Sequence, residues 1–580
     1  MKSGIALLIR TLRFLLTKNP WSLFAIFILT AAEGALPAVL ILIMKAIIDS
    51  IAHGGMAGLP VLVALWCAAM AGQFGISFVL RRILDGFILA ASHSTSTLVI
   101  RKGLSLKGLR CFESEAFHSI YSRLANTDYR VENFVNNFRY LFKNLVQFLS
   151  VFAIFWPLGA WIPLAIAVSA VPGVIASTRN ARLAMEHEDS IDGTQRRAAY
   201  FRNAVVSPAT VKENQIFGFG ALLSNRYLTA QTELKRRALA YSSKKAWNEF
   251  IGTLFRIVAV GFIMVGLADR VAKGLISVGQ LALFLQSIFH FSTAMLELVE
   301  FWSFQAPALQ YFAKLFDFLA TKDTLVLPIN AIVLDGEIER VEFKNVSFAY
   351  EPGRAALCGV SFTIERGQAI ALVGENGAGK TTIVKLIARL YDPDSGEILV
   401  NGIDLRNIDV DLWRARISAV FQDFARYHLS VAENVSPDGT ASSGEFWNKG
   451  FLDLGFIDEL PGRGEATLGK EFGGTELSGG QWQKLAIARG LVKPHEILLV
   501  DEPTASIDPI QEADVYRALF EKKAALSLLV THRLGSVKNA DHILVLKDGR
   551  VVEQGAHDEL VAAGGCYKTL YDSQAGLYKQ

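Results

Sequence analysis

The N-terminal half of the chain contains apolar stretches that are too long and too free of charge for the core of a soluble domain. Leu59–Leu80 runs for 22 residues and Asn144–Thr178 for 35 residues without an Asp, Glu, Lys or Arg. A helix needs about 20 apolar residues to cross the hydrocarbon core of a bilayer. The first stretch therefore predicts one membrane span. The second, interrupted by Pro157 and Gly159, predicts a hairpin of two spans.

Three further stretches bring the prediction to six spans. The first of them follows a basic segment, as a signal core does, but its apolar part at 19–44 exceeds the roughly 7–15 residues of a signal core and predicts a retained span. The predicted spans are approximately 19–45, 59–89, 138–159, 161–180, 246–268 and 274–303.

Composition supports a membrane protein with an attached soluble part. Hydrophobic residues make up 51% of the chain, charged residues 19%, and the mean hydropathy is +0.32. The net charge of +3 is too small to argue for a nucleic-acid partner. The four cysteines are far apart and form no C-x-x-C pair, so neither a disulfide framework nor a zinc site is expected.

The distribution of Lys and Arg predicts the orientation. The connections at 81–143 and 179–249 are rich in both residues, whereas the loops at 46–58 and 159–161 contain neither. Because basic residues favour the cytoplasmic side, both termini and the two long connections are predicted to be cytoplasmic, with the loop at 269–273 as the exception. Helical spacing in the long connections indicates extensions of the spanning helices beyond the membrane.

The composition changes after residue 320. We expect a transmembrane domain at 1–320, a linker at 321–336 and a soluble domain at 337–580. In the last region, short β-branched runs such as AIALV and EILLVDE alternate with helical runs. This alternation predicts a mixed α/β nucleotide-binding domain.

The segment GENGAGKTT follows the run AIALV and opens a helix-like run, which is the context that a G-x-x-x-x-G-K-[ST] phosphate loop requires. Its backbone N–H groups would surround phosphates, Lys380 would reach the β- and γ-phosphates, and Thr381 would ligate Mg²⁺. The predicted phosphate-binding residues are Gly374, Glu375, Asn376, Gly377, Ala378, Gly379, Lys380, Thr381 and Thr382.

Several polar residues lie at the ends of predicted strands. Asp501 is placed to hold Mg²⁺ and Glu502 to polarise a water molecule, while Gln422 could ligate the metal. His532 could bind a γ-phosphate, and Tyr350 could stack on adenine. Each residue alone also has an ordinary structural explanation, as a solvated strand-end acid, a surface amide, a structural histidine or an edge-strand tyrosine.

A second anion-binding pattern lies about a hundred residues after the phosphate loop. Ser478, Gly479, Gly480 and Gln481 form the sequence SGGQ at the start of a helix-like run. In order and spacing, Tyr350, GENGAGKT, Gln422, LSGGQ, LLVDEP, SIDP and His532 resemble the ATPase domain of ATP-binding-cassette (ABC) proteins. With six preceding spans, the chain resembles an ABC exporter half-transporter whose membrane domain comes first.

The resemblance implies roles for these residues. Glu502 would be the general base, His532 the switch histidine and Gln422 the Q-loop residue, with ATP and Mg²⁺ as ligands. Ser478 to Gln481 would bind the γ-phosphate of ATP held by a second subunit, and Asp508 would communicate between the two sites. The partner would be a second copy or a related chain. Departures are Trp482, where many members have Arg, and Ala378, where Ser is common.

The cargo is constrained only by weaker features. The segment VFQDFARYHLSVAEN resembles bacterial exporters of modified peptides, including lantibiotic-type transporters. We therefore expect ATP-driven export of an amphipathic, peptide-like substrate across the bacterial inner membrane by alternating access. Alternatives are a lipid or multidrug exporter or flippase of the same architecture, and an ATP-gated channel or regulator.

Two kinds of residue in the membrane domain are candidates for coupling and for cargo binding. The segments 113–126 and 213–220 resemble those through which exporters couple the two domains. Glu33 and Arg256 lie within predicted spans, where charge is costly, and are candidates for a substrate cavity in which Glu33 would favour cationic cargo. The alternative is that they pair with each other or lie at the ends of spans.

Overall fold

A computed structural model describes most of the chain. The described residues are 2–17, 19–52, 56–124, 127–155, 168, 171–273, 276–437, 454–503, 525–532 and 537–577. They form two compact units, which are considered separately. The helical unit contains residues 1–105 and 115–321, and the α/β unit contains residues 106–114 and 322–580.

Long helices form almost all of the helical unit. The longest described helix, α9, has 54 residues, and Gly218, with left-handed φ +70°, separates it from the short helix before it. The helices are α1 (Lys2–Leu16), α2 (Pro20–Ala52), α3 (Leu59–Ser105), α5 (Glu115–Leu124), α6 (Thr127–Phe155), α7 (Val171–Val206), α8 (Pro208–Phe217), α9 (Phe219–Ala272) and α10 (Val278–Ala320), with α4 (Leu109–Glu113) belonging to the α/β unit.

Four of the described helices are long and apolar enough to cross a membrane: α2, α3, α9 and α10. They contain the predicted spans at 19–45, 59–89, 246–268 and most of 274–303. The count of six is not confirmed, because α6 and α7 are not apolar enough over their described residues and the predicted turn between them, 159–161, lies outside those residues. Helices α3 and α9 continue well beyond their apolar parts, as the helical spacing in the two long connections predicted, and α10 does so as well.

Aromatic side chains hold α6 against α10. The rings of Phe134 and Phe312 have centroids 5.0 Å apart, and those of Phe148 and Phe291 are 4.5 Å apart. Phe134, Phe291 and Phe312 are fully buried. Contacts of this kind add about 0.5–1.5 kcal/mol per pair to the gain from burial alone. Two separate aromatic pairs therefore contribute to the packing of these two helices.

One interpretation of the sequence was that Glu33 pairs with Arg256. In the structure, Glu33 has other partners. Its carboxylate accepts from the Arg139 guanidinium at 2.8 Å and faces the Lys143 ammonium at 3.0 Å, and only 12% of its side chain is exposed. Arg256 instead lines a cavity of about 20 Å³ with Glu300, which is too small for any cargo. These ion pairs join α2 to α6, and the place of Glu33 in a substrate cavity stays a prediction.

The α/β unit contains two sheets. An antiparallel sheet has the order β2-β1-β4-β5, and a second sheet has the order β10-β9-β3-β8-β7-β6 with only β10 antiparallel. The strands are β1 (Arg340–Glu351), β2 (Arg354–Glu365), β3 (Ala369–Gly374), β4 (Ser395–Val400), β5 (Ile403–Asp404), β6 (Ile417–Val420), β7 (Ile497–Asp501), β8 (Leu526–Val530), β9 (His542–Lys547) and β10 (Arg550–Gly555).

Short helices surround the parallel sheet. The β7 strand, ILLVD, is buried along its whole length, as expected for a central strand covered on both faces. The described helices are α11 (Lys380–Ile387), α12 (Val410–Ala415), α13 (Val431–Val435), α14 (Gly479–Val492), α15 (His557–Ala563) and α16 (Cys566–Leu577). Trp413 of α12 is fully buried, and its indole N–H donates to the carbonyl of Ile387 at 2.8 Å, which fixes α11 beside the sheet.

The segment 106–114 is part of the α/β unit although it lies between α3 and α5 in the chain. The Asp323 carboxylate accepts from the backbone N–H groups of Lys107 and Gly108. The Tyr391 hydroxyl donates to Glu113 at 2.6 Å, and burial together with this carboxylate raises the pKa of Tyr391. Of the predicted coupling segment 113–126, only residues 113 and 114 therefore belong to the α/β unit.

The ion pairs of Glu33 predict a loss of stability on its substitution. Glu33→Gln should lower the midpoint of thermal unfolding in lipid nanodiscs, because Arg139 and Lys143 keep their charges but lose their partner. Breaking a buried ion pair in this way costs about 3–5 kcal/mol. Adding Arg139→Gln should recover part of the loss.

The exposed pair of Asp269 and Lys273 on α9 provides the control. Asp269→Asn should change the midpoint little, because exposed pairs contribute about 0–1 kcal/mol. A Glu33→Gln protein as stable as the parent, with an altered preference for cationic compounds, would contradict the structural role of Glu33.

Candidate ATP-binding site

The phosphate loop joins β3 to α11, and two of its glycines are needed for its backbone path. Gly374 has φ +150° and Gly379 has φ +105°, which L side chains rarely adopt. A Cβ on Gly374 would lie 2.2 Å from the carbonyl oxygen of Leu546, and one on Gly379 would lie 2.7 Å from that of Ala356. Glycine at both positions lets the loop turn sharply beneath the first turn of α11, whose N–H groups are then free to face phosphate oxygens.

Lys380 is folded back onto this loop. Its ammonium donates to the carbonyl oxygens of Gly374 at 2.8 Å and Glu375 at 2.9 Å, and the residue is 5% exposed. Burial lowers the pKa of Lys380, and the negative charges of Glu502 and Asp501 oppose this shift. An anion placed against the loop would supply the compensation that a buried ammonium otherwise lacks, so the lysine is suited to a phosphate ligand.

Asp501 ends β7 at the base of the site and is 1% exposed. Its Oδ1 has no hydrogen-bond partner, although the carboxylate also interacts with the Thr381 hydroxyl, and burial raises the pKa of Asp501. A buried carboxylate oxygen without a partner beside a hydroxyl fits Mg²⁺, which one or two protein oxygens hold together with phosphate and water. Among the described residues no group of three His, Cys, Asp or Glu side chains could hold a metal alone.

Glu502 lies at the next position and has the strained backbone of a functional turn. Its φ is +49°, a left-handed value that costs a non-glycine residue about 1–3 kcal/mol. Its N–H donates to the carbonyl of Val530 at 3.0 Å, which extends the pairing of β7 with β8 by one residue. This turn directs the Glu502 carboxylate toward the residues that follow β6 and β8.

Two of those residues hold the Glu502 carboxylate. The Gln422 amide donates to Oε2 at 3.1 Å, and Nε2 of His532 contacts Oε1. Burial and the charge of Lys380 lower the pKa of His532, against the opposing effect of Glu502. A neutral imidazole with its proton on Nε2 can donate to this carboxylate. Both contacts orient the carboxylate, as a general base requires.

Tyr350 is placed at the edge of the same site, near the end of β1. Its ring packs edge-on against Phe348 at 5.0 Å and Tyr391 at 5.5 Å, and its hydroxyl lies 3.2 Å from that of Thr382. The residue is 38% exposed. The ring is therefore held in place by its neighbours while part of it is accessible for stacking on a base.

These residues surround one cavity of about 710 Å³, within the range of small-molecule sites. Of the residues predicted from the sequence, those that line it are Tyr350, Asn376, Gly377, Gly379, Lys380, Thr381, Thr382, Gln422, Glu502 and His532. Gly374, Glu375 and Ala378 complete the loop, and Asp501 lies buried beneath it. Sequence analysis missed Glu351, Arg354 and Lys385, which also line the cavity; no motif marks them, and the pairing of β1 with β2 brings the first two there.

The SGGQ segment is not part of this cavity in its own chain. Ser478 is the N-cap of α14: its hydroxyl accepts from the N–H of Gln481, whose side chain accepts from the N–H of Ser478. Ser478 and Gly479 are exposed, and Trp482 is 1% exposed within the core of this region. The N-terminus of α14 is thus accessible to solvent, while the buried Trp482 holds the helix in the core of this region. Asp508 lies outside the described residues.

Comparisons with known proteins agree with this geometry. The family model described as ABC transporter matches residues 357–505, from β2 to just after Glu502. The chain is 37% identical over 310 residues to the β-(1→2)glucan export ATP-binding/permease protein NdvA of Rhodopseudomonas palustris, covering 52% of this chain and 51% of the relative. It is 28% identical over 404 residues to the subtilin transport ATP-binding protein SpaT of Bacillus subtilis, covering 66% and 63%.

A third relative carries the name of an importer. The chain is 40% identical over 283 residues to the mycobactin import ATP-binding/permease protein IrtB of Mycolicibacterium thermoresistibile, covering 46% of this chain and 47% of the relative. The chain spans between about half and two thirds of the length of these curated relatives.

The fold extends the similarity to the helical unit. The solved structure of a bacterial Atm1-family ABC exporter with ATP bound matches with a TM-score of 0.82, covering 96% of this chain and 98% of that one at 24% identity. The chain therefore carries an ABC transporter ATP-binding domain and has the fold of an ABC exporter of the Atm1 family.

Proposed function

We propose that two copies of this chain bind ATP between their cassettes and use its hydrolysis to export a substrate across the cell membrane. The helices that can span a membrane make the chain an integral membrane protein. The basic connections favour a cytoplasmic position for both termini and for the ATPase domain. The bacterial inner membrane is the proposed location.

One observation carries the proposal of a dimer. Lys380, Gln422, Glu502 and His532 converge on one cavity, whereas Ser478 caps the exposed N-terminus of a helix that is not part of that cavity's lining. An exposed helix N-terminus with a serine hydroxyl and two glycines is suited to an anion that approaches from outside the chain. In the ABC family that the chain resembles, this anion is the γ-phosphate of ATP bound by the partner subunit.

Each group in the cavity has a distinct proposed role. The phosphate loop and Lys380 hold the β- and γ-phosphates, and Tyr350 stacks on the adenine. Thr381, Asp501 and Gln422 would hold Mg²⁺, which neutralises charge on the phosphates when it is bound. The orphaned Oδ1 of Asp501 is the observation in favour of that assignment.

Glu502 is the proposed general base for hydrolysis. Its carboxylate would accept a proton from the water that attacks the γ-phosphorus, while His532 orients the carboxylate through Oε1. Closure of the second cassette brings Ser478 against the γ-phosphate and excludes bulk water. Hydrolysis removes the γ-phosphate that both cassettes contact, so the cassettes separate. The membrane helices then return to the conformation that they had before ATP closed the dimer.

The proposed cargo is amphipathic and peptide-like. The support is the resemblance around VFQDFARYHLSVAEN and the similarity to SpaT, whose name refers to subtilin transport. The names of NdvA and IrtB refer instead to glucan export and mycobactin import, which are the competing cargo classes and directions. Proteoliposomes that accumulate a peptide on ATP addition, without passive ion current, would separate an exporter from an ATP-gated channel.

The assignment of Glu502 predicts a separation of binding from hydrolysis. Glu502→Gln should bind ATP with little change in affinity and accumulate as a closed dimer, because Gln cannot accept the proton. ATP hydrolysis should fall by about 100-fold or more, which is a typical contribution of general base catalysis. Phosphate release and size-exclusion chromatography with ATP measure the two effects.

Glu365→Gln, at the exposed end of β2, is the matched control and should hydrolyse ATP as the parent does. If Glu502→Gln retained near-normal turnover, the general base would have to be another residue.

The position of Tyr350 predicts a specific loss of ATP affinity. Tyr350→Ala should weaken ATP binding by about 5- to 100-fold, because stacking of a base on an aromatic side chain contributes about 1–3 kcal/mol. Tyr350→Phe keeps the ring and loses only the contact with Thr382, so it should bind within a fewfold of the parent. Titration with a fluorescent ATP analogue measures both. Equal losses in the two variants would show that the hydroxyl, not the ring, matters.

A further inference from the structure

The helical unit contains a polar cavity of about 550 Å³ that the ATP chemistry does not use. It lies among α6, α7, α9 and α10. Seven α7 residues line it, and five of them recur at intervals of three and four along one face of that helix: Glu188, Asp192, Gln195, Ala199 and Arg202. Its volume is within the range of pockets for small ligands.

This cavity lies away from the apolar part of the helical unit. Gln231 of α9 lines it, whereas the predicted span on the same helix begins near residue 246. At 1.5 Å per residue, the intervening helix places the cavity roughly 20 Å from the start of that span. A ligand would therefore reach it from water rather than from the lipid bilayer.

The charges that line the cavity are not balanced. Arg130 contacts Glu188 at 3.1 Å, and Arg196 lies 3.7 Å from Asp192. Arg202 lines the cavity, is exposed, and has no ion-pair partner among the described residues. Both carboxylates of the lining are thus paired with guanidinium groups, and one guanidinium is left over.

Neutral polar groups surround the excess charge. The Gln231 amide donates to the Tyr227 hydroxyl at 3.1 Å, and the Gln310 amide donates to Asp189 at 3.0 Å. Leu234 and Pro307 contribute the apolar part of the wall. Amides, hydroxyls and a fork of guanidinium donors suit a polar ligand with an anionic end, because a guanidinium can bind two oxygens of a carboxylate or phosphate.

We propose that this cavity binds the oxyanion of a small polar ligand, a carboxylate or a phosphate, through Arg202 with Gln231 and Tyr227 beside it. This inference rests on the proposed transport function, because it takes the ligand to be cargo or the anionic end of a larger cargo, captured from the cytoplasm before it reaches the membrane. A peptide with a free C-terminal carboxylate fits, as does a sugar phosphate. This site would select an anionic ligand, whereas the sequence analysis of Glu33 suggested a cationic cargo.

Calorimetric titration of the purified protein in lipid nanodiscs tests the proposal with four probes. Trialanine with a free carboxylate is compared with trialanine amide, and glucose phosphate is compared with glucose. At least one of the two anionic probes should bind, and its neutral counterpart should bind at least tenfold more weakly. Arg202→Gln should weaken the anionic probe by about tenfold or more, because a charge-assisted hydrogen bond is lost.

The control is Arg197→Gln, which removes an exposed guanidinium from the same helix but outside the cavity lining. It should bind the anionic probe as the parent does. Binding of trialanine alone identifies a carboxylate ligand, and binding of glucose phosphate alone identifies a phosphate ligand. Failure of both anionic probes to bind the parent, or equal binding by the parent and Arg202→Gln, would overturn the proposal.

ATP hydrolysis measured on the same samples separates this proposal from the proposed function. Parent protein that hydrolyses ATP but binds neither anionic probe would contradict only the cavity assignment. Parent protein without ATP hydrolysis would contradict the transport engine, whatever the titrations show. Arg202→Gln should keep the basal ATP hydrolysis of the parent, since Arg202 lies in the helical unit.

Discussion

Parallel pairing of the central strands is the constraint on which the ATP site depends. Leu372 of β3 and Asp501 of β7 both align with Val530 of β8, and Val420 of β6 aligns with Val500. The carboxyl ends of all four strands therefore meet at one edge of the sheet. The phosphate loop, Gln422, the pair of acids and His532 each follow one of these strands, so their convergence follows from strand register rather than from contacts among the polar residues themselves.

Electrostatics then determine what that edge can bind. Lys380 and Asp501 are both nearly inaccessible to water. Burial lowers the pKa of Lys380 and raises the pKa of Asp501, and each shift favours the neutral form of the side chain. A phosphate and a divalent cation together would reverse both shifts, because each buried charge would gain a partner of opposite sign. The site is therefore incomplete electrostatically without a charged ligand, which explains why the lysine bonds to carbonyl groups of its own loop.

Motifs with local geometry could be predicted from the sequence, and contacts between distant segments could not. Runs predicted as strands in the soluble region, such as AIALV and EILLVDE, are strands, and the phosphate loop lies between β3 and α11 as expected. The strands β2, β5 and β10 were not predicted; β2 is placed by its antiparallel pairing with β1, which no local pattern marks. The partners of Glu33 were missed because Arg139 and Lys143 are more than a hundred residues away, on a helix whose facing side only packing determines.

Two further features could not be predicted from local sequence patterns: the number of spans and the membership of residues 106–114 in the α/β unit. The predicted spans at 138–159 and 161–180 are not confirmed, because only part of each lies within the described residues and that part alone is not apolar enough to count as a span. Residues 106–114 join the α/β unit because Asp323, from beyond α10, binds their backbone, and no local pattern marks that contact. Likewise, the Lys385 ammonium of α11 lies 5.3 Å from the ring centroid of Tyr350 in β1, a contact between two segments that no local pattern marks.

The central claim is that each ATP is bound by the phosphate loop of one chain and by Ser478 of another. The most direct measurement is ATP hydrolysis by dimers assembled from equal amounts of Lys380→Ala chains and Ser478→Arg chains. Neither variant alone should hydrolyse ATP, but the mixed dimer contains one site with an intact lysine and an intact serine. The account predicts recovery of about a quarter of the parental activity, since about half of randomly assembled dimers are mixed and each has one of two sites intact. Mixtures as inactive as the separate variants would contradict the claim, because lysine and serine would then have to come from the same chain.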